Sequence, residues 1–199
     1  MLNEKKAFIG FIYGGGSVLV TYPSYSDVQE IRSELKEVGY QHWLHDDLFT
    51  WQWWVLLLAA ILPWIIWVCL IKREHRLHVF AFATSIGIIS SVLDVIGADL
   101  LLWEYPTKLF PMIPPLFPAD LTVIPVTFSL AYYYGKKWRA YILYNFIVAF
   151  LFSYVIEPLC TWTQIYKSNN FPHWLSFIGF TLISLLVRWS IERVLPIRR

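Results

Sequence analysis

Long runs of apolar residues dominate the chain from residue 51 onward, and short polar connections separate them. A helix needs about 20 apolar residues to cross the hydrocarbon core of a bilayer. Five runs come close to this length, the third and fifth being the shortest: residues 51–71, 78–102, 119–134, 140–160 and 174–191. The pattern predicts an all-α membrane protein with five transmembrane helices.

The composition agrees with this prediction. Hydrophobic residues make up 57% of the chain and charged residues only 15%, whereas soluble domains have about 25% charged residues. The formal net charge of +2 is too small to indicate nucleic-acid binding, and the basic residues lie beside the apolar runs. The expected partner of this surface is therefore the lipid bilayer, and no nucleic acid.

Basic residues are distributed unevenly over the connections. Clusters follow the first, third and fifth runs, whereas the connections after the second and fourth runs carry one lysine each, Lys108 and Lys167. Because Lys and Arg are retained on the cytoplasmic side, we expect the N-terminus outside and the C-terminus in the cytoplasm. The clusters contain Lys72, Arg73, Arg76, Lys136, Lys137, Arg139, Arg188, Arg193, Arg198 and Arg199.

The first fifty residues have a different pattern. Residues 7–13 and 17–22 are rich in β-branched and aromatic residues around three glycines, which predicts a β-hairpin. Residues 26–39 follow as an amphipathic helix that starts with a Ser26–Gln29 capping box. We expect residues 1–50 to form a small external ββα-like lid. The alternative, in which residues 7–22 form a sixth span, stays open.

One face of the second run carries small and polar residues. They recur at intervals of three and four positions: Thr84, Gly87, Ser91, Asp94 and Ala98. Residues at this spacing share one face of a helix, and small side chains let neighbouring helices approach closely. The stripe predicts a packing seam that contains a carboxylate.

Carboxylates inside the runs are the strongest candidates for function, because a charge at membrane depth costs several kcal/mol and is usually kept for a purpose. Asp94 and Glu157 lie at similar depths in the second and fourth runs, while Glu104 and Asp120 flank the connection at the same side. We expect these four carboxylates, with Ser91, to converge in a pocket beneath the outer surface.

Several roles for this pocket are open. The preferred hypothesis is a non-catalytic protein whose pocket binds a cation, a lipid headgroup or a membrane partner, including a second copy of the chain. One alternative is an enzyme that acts on an isoprenoid or lipid, with Glu157 or Asp94 as proton donor. Another is a cation-coupled transporter. In a purely structural interpretation, the carboxyls only bond neighbouring helices, through residues such as Ser91, Thr122 and Ser153.

Other motifs add little chemistry. No phosphate-binding loop, dinucleotide fingerprint or G-x-S-x-G motif occurs, so the sequence identifies no cofactor. His42 and His45 could join Asp46, Asp47 and His173 around a metal ion, but a solvated segment beside the membrane is the preferred interpretation, and no metal site is predicted. Five prolines among residues 106–118 predict a stiff connection that could roof the pocket.

Short motifs carry a resemblance to a known family. They follow in this order: Trp103-Glu104-Tyr105-Pro106, Phe110-Pro111, Asp120, Pro125, Ile156-Glu157-Pro158 and Ile165-Tyr166. With these motifs, residues 51–195 resemble an uncharacterised family of small five-span integral membrane proteins of spore-forming Gram-positive bacteria. The resemblance implies a multi-pass protein of the bacterial cytoplasmic membrane or the spore inner membrane, in a host capable of sporulation, and it implies no mechanism.

Overall fold

The computed structural model describes residues 7–11, 17–111 and 116–195, with side chains from residue 22 onward. Contacts divide the chain into two compact units, residues 1–42 and 43–199. The boundary lies before the predicted one at residue 50, because Trp43 and Asp47 already bond to the second unit. The Trp43 indole donates to the Leu109 carbonyl at 3.2 Å, and the Lys108 amide donates to Asp47 Oδ2 at 3.0 Å.

The first unit contains a hairpin and one helix. Strands β1 (Ala7–Phe11) and β2 (Ser17–Thr21) pair antiparallel, with Ala7 opposite Thr21, and the predicted turn between them lies outside the described residues. Helix α1 (Tyr25–His42) follows. None of the residues of α1 is buried. The external location of this unit and its role as a lid stay predictions.

Helix α1 has a different cap from the predicted one. Ser24 and Asp27 form the reciprocal pair: the Asp27 amide donates to Ser24 Oγ at 3.3 Å, and the Ser24 amide donates to Asp27 Oδ2 at 2.7 Å. The predicted pair, Ser26 and Gln29, was wrong. A cap residue must precede the helix, and α1 already begins at Tyr25.

Helices form most of the second unit, and the two short strands pair with each other antiparallel. In chain order, the elements are α2 (Trp51–Leu70), α3 (Arg76–Asp99), β3 (Trp103–Glu104), α4 (Ile124–Tyr134), α5 (Trp138–Leu151), α6 (Glu157–Trp162), β4 (Lys167–Ser168) and α7 (His173–Val194). Two π-helical turns, Ala119–Val123 and Phe152–Ile156, lead directly into α4 and α6.

Four helical stretches among the described residues are long and apolar enough to cross a membrane. The chain is accordingly a multi-pass membrane protein. These stretches correspond to the first, second, fourth and fifth predicted spans: Trp51–Leu70, Arg73–Asp99, Trp138–Trp162 and His173–Val194. The third predicted span, residues 119–134, forms the first π turn and the short helix α4. A fifth crossing stays a prediction.

Proline determines how the helix after the first π turn begins. Pro125 lies in the first turn of α4, where the missing N–H has no helical partner in any case. The carbonyl of Leu121, four residues earlier, instead accepts a hydrogen bond from the Trp64 indole of α2 at 3.2 Å. Pro125 thus starts a helix after a π turn. Pro158 occupies the same position in α6.

Gly87 lets the segment from Ala119 to Tyr134 pack closely against α3. A Cβ atom at this position would lie 3.2 Å from Pro125 Cγ and 3.4 Å from the Asp120 carbonyl oxygen. Gly87 belongs to the seam that the sequence predicts on α3. The close approach brings Asp120 next to the same helix that carries Asp94.

Arg188 fixes the opposite end of α4. Its buried guanidinium donates to the Gly135 carbonyl at 2.7 Å and to the Lys136 carbonyl at 3.1 Å, and its Nε donates to Glu192 Oε1 at 2.9 Å. The guanidinium also lies over the rings of Trp138 and Tyr141, with 4.7 and 4.4 Å to the ring centres. One side chain of α7 therefore holds the turn between α4 and α5.

Candidate functional site

Asp94 accepts hydrogen bonds on both of its carboxylate oxygens. Oδ1 accepts from the Trp103 indole at 2.8 Å and from the Tyr105 hydroxyl, while Oδ2 accepts from the Leu116 amide at 3.3 Å. The side chain is buried. The connection after α3 therefore folds back over its own helix and directs three donors at the Asp94 carboxyl.

A tight turn at the end of α3 brings Trp103 into this position. Leu101 has a positive φ of 55°, and the Leu102 amide donates to the Gly97 carbonyl at 3.0 Å, which reverses the chain. The Trp103 indole then lies against Gly97. A Cβ atom at Gly97 would be 2.0 Å from Trp103 Cζ2, so only glycine admits the indole there.

Asp120 is the second carboxyl of the site, and it lies within hydrogen-bonding reach of Asp94. It is buried, and no N–H or hydroxyl group of the described residues reaches its Oδ2. The donors of the site are thus directed at Asp94, and Asp120 Oδ2 is the carboxyl oxygen that a ligand can bond.

Glu157 is paired with a histidine. Its Oε2 lies 2.8 Å from His173 Nδ1 at the start of α7, and Ser176 also hydrogen-bonds to the carboxyl. The Glu157 side chain is 16% exposed and that of His173 is 39% exposed. This pair is thus less enclosed than Asp94 and Asp120.

Two tyrosines lie between the acidic groups. The ring centres of Tyr105 and Tyr166 are 5.8 Å apart. Burial, with Glu157 as the next cause, raises the pKa of Tyr166 to about 12, while burial and the neighbouring Asp94 raise the pKa of Tyr105 well above its usual value. Both hydroxyls therefore stay protonated near neutral pH, and that of Tyr105 donates to Asp94.

These groups border a cavity of about 420 Å³. Its walls are mostly aliphatic and aromatic, and they come from α2, α3, α4, α6, α7 and both π turns. The cavity extends from Tyr105 and Tyr166 at one end to Phe128 and Ser184 inside the bundle. Apolar walls with a few convergent polar groups are typical of sites for small molecules.

Three of the five predicted site residues meet at this cavity. Asp94, Asp120 and Glu157 all line it. Ser91 is not among the lining residues, although its neighbour Ser90 is. Adjacent residues on a helix point about 100° apart, so the predicted seam is displaced by one position at this point. The Ser91 hydroxyl is buried and has no hydrogen-bond partner within the described part of the chain.

Glu104 lies on the surface and not in the cavity. Its Oε1 accepts from Asn169 Nδ2 at 2.5 Å, and its Oε2 lies 3.6 Å from Lys167 Nζ. The hydrogen bond from Asn169 and the charge of Lys167 lower the pKa of Glu104. The predicted place of Glu104 in the pocket is therefore wrong. Glu104 belongs to β3, which pairs with β4. Consecutive strand residues point to opposite faces, and Trp103 occupies the inner face.

Sequence reasoning missed the residues that surround the acids. The sequence predicted no role in the pocket for Trp103 and Tyr105, and their alternation around Glu104 was the available signal. His173 was considered as a metal ligand, but it pairs with Glu157. Within residues 7–11, 17–111 and 116–195, no group of three or more His, Cys, Asp or Glu side chains is arranged to hold a metal ion.

Comparisons of the chain with models of known protein families, with curated proteins and with solved structures found no match. The resemblance to a family of five-span membrane proteins therefore stays a prediction.

Proposed function

We propose that this chain is a non-catalytic membrane protein that binds the polar end of a lipid in the acidic cavity. The observation that carries the proposal is the mostly apolar cavity of about 420 Å³ with the Asp94–Asp120 pair in its wall. Pockets of this volume hold small molecules, and their few polar groups select the orientation of the ligand.

The acids define the chemistry of the headgroup. Asp94 already accepts three hydrogen bonds, whereas Asp120 Oδ2 receives none from the described protein donors. A ligand that donates a hydrogen bond, such as an amine or an alcohol, satisfies this oxygen. A carboxylate or phosphate headgroup would be repelled by Asp94 and Glu157. We therefore expect a lipid whose polar end is a hydrogen-bond donor.

The proposal includes five crossings, with the N-terminus outside and the acidic cavity near the outer surface. The ion pair of Glu104 and Lys167, at 3.6 Å, supports the fifth crossing. These residues flank the segment that contains α4 and α5. One crossing by α5 and α6 alone would separate them, so their contact supports a crossing by α4 as well. The basic clusters support the orientation.

Native mass spectrometry of the full chain, taken from vesicles that contain a long-chain primary amine, tests the proposal. We expect retention of the amine and of the matching alcohol, but not of the matching carboxylate. Asp120→Leu should lose about 1–3 kcal/mol of binding free energy, because the headgroup then faces no acceptor. Asp99→Asn is the control, because Asp99 is an exposed carboxylate at the end of α3, the helix that carries Asp94. Equal retention of amine and carboxylate would refute the proposal.

Acid catalysis on an isoprenoid is a second candidate. The Asp120 carboxyl faces a cavity whose walls include the rings of Trp103, Tyr105 and Tyr166. Its proton could add to a carbon–carbon double bond, leaving Asp120 as a carboxylate and a cation on carbon that aromatic faces stabilise. Return of a neighbouring substrate proton to Asp120 completes an isomerisation.

The geometry favours Asp120 over Glu157 and Asp94 as proton donor, because Asp94 serves as an acceptor for three donors. Asp120→Asn separates the two candidates. It keeps a hydrogen-bonding side chain and should retain ligand, but it cannot supply an acidic proton. Loss of an isomerised isoprenoid product in Asp120→Asn, measured by gas chromatography, supports the enzyme. The absence of any product with the unaltered protein supports binding alone.

Cation-coupled transport has less support. Beyond Ser184, the interior is filled by Phe82, Tyr132 and Tyr141. The Tyr141 hydroxyl bonds to Ser184, which closes that end of the cavity within the described residues. A transported cation would need a polar path through this aromatic layer.

A further inference from the structure

The cavity is long enough to hold a hydrocarbon chain. Its wall on α7 runs from Leu175 to Ser184, which corresponds to a length of about 14 Å at the helical rise. A hydrocarbon chain can lie lengthwise along this wall.

The inner end of the cavity is closed by aromatic rings. Phe128, Phe152 and Phe180 lie with ring centres 5.7 to 5.9 Å apart, and all three line the cavity. Such a floor is apolar and suits the end of a hydrocarbon chain. The polar end of the ligand then lies at the opposite end, beside Asp94 and Asp120.

The two connections at the acidic end are tied to each other. Thr107 Oγ1 donates to the Gln164 carbonyl at 3.2 Å, the Asn169 amide donates to the Leu102 carbonyl at 3.0 Å, and β3 pairs with β4. Leu109, Ile165 and Tyr166 are buried between these connections and the helices. The described part of this roof obstructs a route from the aqueous side.

The side of the cavity between α2 and α6 is more open. Val55 on α2 is 44% exposed and Leu159 on α6 is 49% exposed, although both line the cavity. Ile156, just before α6, lines it as well and is 38% exposed. Helix α2 packs mainly against the Ala119–Val123 turn and α4, whereas α6 packs mainly against its preceding turn and β4. Both helices belong to stretches that are long and apolar enough to cross a membrane.

We propose that the ligand is an amphiphile whose hydrocarbon chain enters the acidic cavity laterally from the bilayer, between α2 and α6. This inference rests on the proposed function and adds the route. The hydrocarbon chain extends toward Ser184, and the donor headgroup remains at Asp120. A hydrocarbon chain inside the bilayer needs no exposure to water on this route, which agrees with the apolar character of the portal formed by Val55, Ile156 and Leu159.

Photolabelling in phosphatidylcholine vesicles tests this proposal. The probe is a diazirine-bearing long-chain primary amine. We expect it to label peptides that contain residues 156–160 and 175–184. If it labels neither peptide, the proposed function itself fails.

A larger side chain at position 179 should occupy part of the cavity. It lies in the wall on α7, and a Cβ atom there would meet no atom within 4 Å. Gly179→Leu should fill space without a clash and reduce labelling several-fold, while Gly179→Ala, the matched control, should retain most of it. An unchanged melting temperature in detergent shows that Gly179→Leu is folded. Full labelling of a folded Gly179→Leu would contradict a chain that runs past this position.

Portal variants test the lateral route. Val55→Trp combined with Leu159→Trp should slow labelling of the peptide that contains residues 175–184 by the bilayer-delivered amine several-fold. Leu143→Trp is the control, because Leu143 is 58% exposed and does not line the cavity. Equal labelling rates in all three proteins would refute access between α2 and α6 and leave the cavity assignment intact.

Discussion

Asp94 combines burial with hydrogen bonds from residues close to it in the chain. Moving a carboxylate out of water costs several kcal/mol, which is offset only by well-directed donors. Trp103, Tyr105 and Leu116 supply these donors, and all three belong to the connection between α3 and the next helical segment. The charge of one side chain and the folding of this connection therefore depend on each other.

Gly97→Ala should disrupt the site without removing any acid. The new methyl group would overlap the Trp103 ring, where the Cβ position is 2.0 Å from Cζ2. Displacement of the indole removes one charged hydrogen bond from Asp94, worth about 1.5–3 kcal/mol. We expect a lower melting temperature in detergent and a change in tryptophan fluorescence.

Gly179→Ala is the matched control for this change. It makes the same substitution within a helix, but the added Cβ meets open space, so stability should stay the same or increase slightly through the better helix propensity of alanine. Equal melting temperatures for the two variants would contradict the close contact between Gly97 and Trp103.

At the scale of elements, two π turns bring acids to the cavity. Ala119–Val123 contains Asp120, and Phe152–Ile156 ends just before Glu157. In each case a proline follows in the first turn of the next helix. Proline lacks the N–H that would continue the regular helical ladder, so a change of helical geometry before it costs little. Pro125 and Pro158, which interrupt the regular helical hydrogen bonds, thus also influence the direction of the acidic side chains before them.

Arg188→Lys should weaken the hydrogen bonds between α7 and the turn that follows α4. Lysine keeps the positive charge but lacks the planar fork that reaches Gly135, Lys136 and Glu192 together. Each buried carbonyl left without a donor costs about 1–3 kcal/mol. We expect a clear decrease in melting temperature in detergent, with the acidic cavity still able to bind ligand.

Arg193→Lys provides the comparison for the Arg188 variant. Arg193 lies on the same helix, two turns from the end of the cavity, and stacks on Trp189 with 4.6 Å to the ring centre. No backbone carbonyl in the described chain depends on it in the way that Gly135 depends on Arg188. Equal melting temperatures for the two lysine variants would refute the role of Arg188 in holding the turn.

The helices that cross the membrane were predictable from run length, because hydrophobic length is a local property of the sequence. The acidic seam on α3 was predictable from spacing, and it brought Asp94 to the cavity. The surface location of Glu104 was not predictable from spacing, since it depends on pairing with Lys167 far along the chain. The bond between Glu157 and His173 likewise joins two helices, and spacing within one helix contains no information about it.

At the scale of the whole membrane unit, the two ends of the bundle differ in chemistry. One end carries Asp94, Asp120 and Glu157, and the other carries Arg188 with the basic connections. In a membrane, basic residues favour the cytoplasmic side. We therefore expect the acids near the outer surface. The number of crossings decides on which side of the membrane each connection lies, because each crossing moves the following connection to the other side.

Cysteine labelling separates five crossings from four. In a chain with Cys69→Ser and Cys160→Ser, single changes Lys108→Cys, Lys136→Cys and Lys167→Cys report three successive connections. With five crossings, an impermeant maleimide added to intact cells should label the first and third positions and reach the second only after permeabilisation. With four crossings, in which α4 does not cross, the first two positions should react alike and the third should differ.

The ion pair between Glu104 and Lys167 makes the five-crossing pattern the expected one. At 3.6 Å, the two side chains occupy the same side of the membrane. Lys108 lies four residues after Glu104, so its connection shares that side with Lys167. Labelling of Lys136→Cys together with Lys108→Cys would require this ion pair to be broken in the membrane. The same three cysteines therefore test the path of α4 and the contact between Glu104 and Lys167.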